Sequence, residues 1–339
     1  REDTRSALLR VLRALSGEKK NADCARAHNR TMAVSEIEQL REDIFAKIKQ
    51  YHDLTHAPRA FVPGETRVQY AGRVYDEREM IAMTEAALEF WLTAGRHAQQ
   101  FEQKLGAFLG ARQVIPVNSG SSANLVAVST LRAQQLRNRL QPGDEVITPA
   151  VTFPTTLAPI VQNQLVPVFV DCELGTYNMD VRQFAAALSE RTRAIFLPHT
   201  LGNPAPMDEV TAFAREHNLY LIEDCCDALG STFDGRMVGT FGQLATLSFY
   251  PAHHITMGEG GAVFTNSFRL ARLARTLRDW GRDCWCEYIN PPNGKCGIRF
   301  EREIPGLPGT YDHRYYFTEI GYNLKVTDTQ AALGVAQLD

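Results

Sequence analysis

The sequence predicts an α/β protein built on a largely parallel sheet covered by helices. Two observations carry this. From Gln113 onward, short apolar runs rich in Val and Ile alternate with stretches of helical periodicity. Each intervening stretch is also long enough for a right-handed crossover between parallel strands.

The elements follow in order. Residues 1–31 carry basic clusters without a coherent pattern, and Met32 then precedes a Ser35 to Glu38 capping signal. Met32 therefore reads as a start, and 1–31 as an extension that is disordered or foreign to the fold. Over 37–51, Ile37, Leu40, Ile44, Ile48 and Tyr51 recur at three- and four-residue spacing, which predicts an N-terminal helix of the globular body with one buried face. Strands are expected at 114–117, 145–148, 166–170, 194–197, 219–222, 245–249 and 262–265. Helices are expected at 121–137, 155–163, 180–188 and 207–217, followed by an arginine-rich helix at 267–278. The stretch 281–309 holds four prolines, five glycines and three cysteines without a usable period, so it reads as a functional loop or one held by something other than a core. A last helical pattern begins near Thr327 and is cut at Asp339, which suggests a further C-terminal portion.

Composition narrows the function. The 339 residues include 36 Lys and Arg against 39 Asp and Glu, a formal net charge of −3, which argues against an electrostatic nucleic-acid binder. With 44% hydrophobic and 22% charged residues the chain is ordinary globular material, enough for two domains or one large one. Every apolar stretch is broken well short of the ~18 residues that span a membrane. The seven cysteines are an odd number, and no secretory signal opens the chain, so a soluble protein of the reducing cytoplasm is expected.

In open α/β sheets ligands bind at the carboxyl ends of the strands, where Asn118, Thr152, His199, Asp224 and Tyr250 fall. The small-residue loop from Asn118 to Asn124 sits between a strand and a helix, where free backbone N–H groups suit a phosphate; a simple Ser-capped helix reads as well. Glu223 and Asp224 end a strand, and a carboxylate there stays ionised when it faces a cation such as a protonated pyridine nitrogen. Paired acids are also ordinary helix caps. The pair His253 and His254 lies in a turn before a glycine-rich reversal, as structural residues, metal ligands or a base.

Six motifs fall in order: NSGSSAN at 118–124, PAVTFPTT at 149–156, VFVD at 168–171, EDCCDALGS at 223–231, SFYPAHHITMGEGGAVFTN at 248–266 and GYNLKVTDTQAA at 321–332. Together they resemble the DegT-type sugar aminotransferases, fold-type-I enzymes that use pyridoxal phosphate on nucleotide-linked 4-keto sugars, over roughly residues 61–339. The resemblance implies a mostly parallel seven-stranded-type sheet in a large cofactor-binding domain at 93–280. A helical segment at 32–92 precedes it, a cysteine-bearing loop at 281–310 follows, and a smaller C-terminal domain starts at 311–339, largely missing from this chain.

One departure is informative. Where the aminotransferases carry the lysine that holds the cofactor covalently, this sequence has His253. Imidazole forms no stable bond of that kind but removes protons, so the resemblance narrows to the sugar 3-dehydrases of the family, with pyridoxamine phosphate held noncovalently. Asp227 and Tyr250 also stand where the aminotransferases commonly have His or Gln, and His. Among the dehydrases, an iron-free kind draws its amine from glutamate, and another, acting on CDP-4-keto-6-deoxyhexoses, holds a 2Fe-2S cluster on four cysteines. Cys226 and Cys284 are separated by 57 residues, Cys286 follows after one and Cys296 after nine, about two more than that pattern expects. Buried free thiols and a structural zinc share this spacing. Cys24, Cys172 and Cys225 are left as bystanders.

The resemblance then implies a role for each residue. His253 is the base, Asp224 pairs with the pyridine nitrogen, and Phe153 lies on the ring face. Gly120, Ser121 and Ser248 hold the phosphate, with Asn323 reaching in from the second subunit of a homodimer. A flavin and iron-sulfur reductase supplies electrons singly, in 3,6-dideoxyhexose and lipopolysaccharide biosynthesis. The rival readings are the glutamate-using dehydrase and a homologue that only binds cofactor.

Overall fold

The computed structural model describes residues 34–57, 60–69, 71–284 and 297–339, and internal contacts divide the chain after Val62. The first unit contributes helix α1, residues 34–55. Its predicted apolar stripe is not buried as expected: Ile37, Leu40 and Tyr51 are exposed, and only Ile44 and Ile48 are partly covered. Periodicity specifies a helix with an apolar face, but a partner surface decides whether that face is buried.

The second unit is a seven-stranded sheet with helices on both faces. The strands are β1 (Gln113–Val117), β2 (Glu145–Pro149), β3 (Val166–Val170), β4 (Thr192–Pro198), β5 (Tyr220–Asp224), β6 (Leu244–Ser248) and β7 (Gly261–Thr265), arranged β1-β7-β6-β5-β4-β2-β3. The pairs from β3 through β6 are parallel, whereas β7 runs antiparallel to both β6 and β1. Each predicted strand is present within a residue or two. Alternation along β4 sends Ala194 and Phe196 to one core and Ile195 and Leu197 to the other, the two-residue period of a sheet buried on both faces.

Helices α4 (Gly120–Arg132), α5 (Pro154–Gln162) and α8 (Phe268–Arg278) pack on the first core; α6 (Phe184–Ala187) and α7 (Met207–Glu216) pack on the second. A third cluster joins α3 (Arg96–Leu109) and α9 (Asp328–Gln337), where Phe101 meets Phe249 edge-on at 5.3 Å. Asp328 caps α3 across the chain, its Oδ1 accepting from the Gly95 and Ala98 N–H groups. Helix α2 (Glu77–Glu89) opens with a capping box between Asp76 and Glu79.

Two helices are shorter than the sequence predicts. The pattern at 121–137 ends at Arg132, because the Leu140 N–H returns to the Leu131 carbonyl at 2.8 Å and buries Leu136 and Leu140 without further helical turns. The stretch 180–188 becomes a 3-10 turn, Val181–Gln183, followed by the single turn α6. Part of the loop at 281–309 is described and forms a two-residue strand, Arg302–Glu303, paired with Thr310–Tyr311. No helix among the described residues is long and apolar enough to cross a membrane.

Candidate active site

Asp224 ends β5 and is 6% exposed. Its Oδ2 accepts from Asn124 Nδ2 and Thr156 Oγ1, both at 2.9 Å, and its Oδ1 from the Cys226 N–H at 3.1 Å. Asn124 in turn accepts from Thr246 Oγ1 at 2.6 Å and donates to the Thr155 carbonyl at 3.1 Å. Residues of α4, α5 and β6 thus hold one carboxylate in place. Among the described residues this buried carboxylate has no cationic partner, an arrangement that suits a cation delivered by a ligand.

The loop after β1 approaches β6 closely. A Cβ on Gly120 would lie 2.4 Å from Ser248 Cβ, so only glycine fits where α4 begins beside the end of β6. Ser119 caps α4 by accepting from the Ser122 N–H, and the first N–H groups of the helix, those of Gly120 and Ser121, point out of its end with no carbonyl one turn back. Gly120, Ser121 and Ser248 therefore stand together at an anion-favouring helix N-terminus. Nearby strand ends carry two buried polar atoms with no partner among the described residues, Asn118 Oδ1 and Thr152 Oγ1. Phe153, the N-cap residue of α5, is 70% exposed. Asn323 accepts from Lys325 Nζ at 2.7 Å and bridges in strand fashion to Asp279.

His253 lies in the loop between β6 and β7, its N–H donating to the Tyr250 carbonyl at 2.9 Å. Its Nδ1 is 3.3 Å from Asp227 Oδ1. The imidazole and its charge, with help from His254 and a Leu201 backbone N–H, hold the Asp227 carboxyl below the usual carboxylate range, although partial burial works against this. Tyr250 is half-exposed.

Sequence reasoning named Glu223 and His199 but missed that they pair in a second buried polar site. Glu223, fully buried, accepts from the Gly239, Phe241 and Gly242 N–H groups and from His199 Nε2 at 3.1 Å. His199 Nδ1 accepts from the Ala205 N–H at 3.1 Å, so the ring proton sits on Nε2 and is donated to Glu223. His199, Glu223 and Cys225 lie close enough for a metal, the only such trio found among the described residues. Both ring nitrogens and both carboxylate oxygens are already spent, however, so the trio is structural. The adjacent acids in the sequence were its only signal.

Of the four cysteines singled out, Cys226 and Cys284 are described, both partly buried, while Cys286 and Cys296 lie outside the described residues, as does Cys24. Burial, then the Asp224 carboxylate, pushes the Cys226 thiol well up. Cys284 follows a firmly anchored residue: Asp283 is buried, accepts from Arg272 Nη2 at 2.7 Å, pairs with Arg302 and offers its carbonyl to His313 Nδ1 at 2.9 Å.

Comparison with known proteins gives this geometry its context. dTDP-4-dehydro-2,6-dideoxy-D-glucose 3-dehydratase of Saccharopolyspora spinosa is 53% identical over 307 residues, 90% of this chain and 66% of that protein. The lipopolysaccharide biosynthesis protein RfbH of Salmonella typhimurium is 51% identical over 301 residues, 88% of this chain and 68% of that one. The solved GDP-4-keto-6-deoxy-D-mannose-3-dehydratase of E. coli with bound hydrated pyridoxal phosphate superposes with a TM-score of 0.69 at 28% identity, covering 80% of this chain and 67% of that one. This chain spans about two thirds of the length of these relatives. The family model for the DegT/DnrJ/EryC1/StrS aminotransferases matches residues 74–339, and with its fold-type-I sheet the chain belongs to that family.

Proposed function

We propose that this chain belongs to a 3-dehydratase that removes the 3-hydroxyl of a nucleotide-linked 4-keto-6-deoxyhexose, the CDP-linked sugar in the first instance, for 3,6-dideoxyhexose and lipopolysaccharide biosynthesis. The observation that carries this is His253, an imidazole at the family's lysine position in the loop beside the framed Asp224. Relatives named as 3-dehydratases support it.

The residues present fit pyridoxamine phosphate. The buried carboxylate of Asp224, with no cationic partner among the described residues, suits a protonated pyridine nitrogen, and Gly120, Ser121 and Ser248 suit the phosphate. Exposed Phe153 suits one ring face, and Asn323 would serve the site of a second subunit in a homodimer. The bound cofactor supplies an amine for the sugar's 4-keto carbon and a ring that accepts electrons. His253 removes a proton beside that ring, and its imidazole rather than lysine leaves the amine free to meet the sugar.

Cys226, Cys284, Cys286 and Cys296 would hold a 2Fe-2S cluster, which supplies electrons one at a time from a flavin and iron-sulfur reductase. What supports this is the spacing of the four cysteines and the thiolate donors that such a cluster takes. A second reading, the iron-free dehydratase that uses glutamate, is favoured by the likeness to a GDP-4-keto-6-deoxymannose-3-dehydratase solved with a trapped PLP-glutamate geminal diamine, at a TM-score of 0.70 and 29% identity. The spacing of the four cysteines weighs against it.

The test is solvent-deuterium exchange at the cofactor methylene in the presence of CDP-, dTDP- or GDP-linked 4-keto-6-deoxyhexose. Exchange with wild type and its loss in His253→Asn support dehydratase chemistry, and the preferred sugar fixes the nucleotide. Retention in His253→Asn within about tenfold, ~1.4 kcal/mol of barrier, removes His253 as the base.

A further inference from the structure

We propose that Asp227 is a positioning residue for His253, fixing its imidazole with the proton on Nδ1 and the lone pair on Nε2; this rests on His253 being the base. The chemistry of the contact sets the direction. An ionised carboxylate only accepts hydrogen bonds, so the nitrogen 3.3 Å from Asp227 Oδ1 is the one that carries the proton. A neutral imidazole then has its lone pair on the far nitrogen, the one able to take a proton.

An exposed pair of this kind contributes little when both side chains are free to wander. Here neither is. The His253 backbone is tied to the Tyr250 carbonyl at 2.9 Å, and its side chain is 21% exposed against 51% for Asp227. The Asp227 backbone packs against the turn after β4. Leu201 in that turn has φ 56°, a left-handed conformation that a leucine avoids, and its side chain is 75% exposed, so packing does not explain the strain. The Leu201 backbone N–H also bears on the Asp227 carboxylate. The next residue, Gly202, has φ +79°, and a Cβ there would lie 2.7 Å from the Asp227 carbonyl oxygen. Ser231 Oγ donates to the Gly202 carbonyl at 2.8 Å. The turn is itself anchored through His199, whose carbonyl accepts from the Gly202 N–H at 3.2 Å and whose ring is locked on buried Glu223. His254 and the adjacent Cys226 also bear on Asp227.

The experiment is 15N NMR of the full chain labelled at histidine, with and without pyridoxamine phosphate, at a pH where imidazole is neutral. In wild type, His253, assigned by its loss in His253→Asn, should show a protonated Nδ1 and an unprotonated Nε2. Asp227→Asn should shift His253 toward a mixture of tautomers and leave His254 in place, and Asp227→Glu should restore the wild-type pattern. An Nε2-protonated His253 in wild type overturns the proposal without any variant, and unchanged His253 shifts in Asp227→Asn overturn it equally. In parallel, methylene exchange should slow at least tenfold in Asp227→Asn, with pyridoxamine phosphate affinity within twofold of wild type. An unchanged rate overturns the positioning role. Retained exchange in His253→Asn would instead sink the base assignment, a result on which the spectra do not depend.

Discussion

Asn124 Nδ2 and Asp224 Oδ2, 2.9 Å apart, join the helix that follows β1 to the carboxyl end of β5. Thr156 adds a bond from α5 to the same oxygen, so the carboxylate cannot turn without breaking contacts to two helices. Its position is fixed by these bonds, and no cation stands beside it among the described residues. Asp224→Asn keeps the shape and removes the charge. Pyridoxamine phosphate binding should weaken by about 3–5 kcal/mol, the usual loss when one partner of a buried charge pair is removed. Thr156→Val should cost only about 1 kcal/mol of affinity. Titration calorimetry showing equal losses for the two variants would contradict the charge-pairing role.

Glu223 makes a different prediction because its four donors come from the protein itself. Glu223→Gln places an amide NH2 against backbone N–H groups in a site without water access, and the protein should lose roughly 3 kcal/mol of stability. Denaturant unfolding reads this directly. A loss under about 1 kcal/mol would mean that the 239–242 turn does not depend on Glu223.

Glu145 should give stability a measurable pH dependence. Its carboxyl lies below the ordinary range because Ser189 Oγ donates to it, with further bonds from Arg191 and Thr192, against the opposing effect of burial. A carboxyl depressed in the folded state contributes stability above its unfolded pKa of about 4, and this is lost as pH falls through the lower folded value. The melting-temperature gap between wild type and Glu145→Gln should therefore be full near neutrality and close in acid. A gap constant from neutrality into strong acid would exclude this origin.

The sheet was legible in the sequence because its strands are buried on both faces and read as continuous Val- and Ile-rich runs. The position of Asp224 followed from the rule that strand ends carry the chemistry, Gly120 lay in the small-residue loop after a strand, and Ser248 came only with the family resemblance. What was hidden depends on contacts distant in sequence. His199 and Glu223 are 24 residues apart and meet only because β4 and β5 are neighbours. Helix α3 went unpredicted although Ala98, Phe101, Leu105 and Leu109 recur at helical spacing and are buried. The exposed face of α1 shows the opposite failure, a clear pattern whose burial no local rule decides.

The cysteines make a chemical prediction. Purified anaerobically, the protein should be brown and hold about two irons per chain, and Cys284→Ser or Cys286→Ser should remove the colour while leaving pyridoxamine phosphate binding intact. Zinc in place of iron after anaerobic reconstitution would overturn the cluster assignment and leave the cofactor site untouched.

The central claim is that an imidazole at position 253 replaces covalent cofactor attachment, and borohydride reduction followed by peptide mass spectrometry tests it most directly. The wild-type protein incubated with pyridoxal phosphate should yield no cofactor-labelled peptide, and His253→Lys should yield one labelled at position 253. A wild-type peptide carrying the cofactor on a lysine, Lys325 included, would contradict the account.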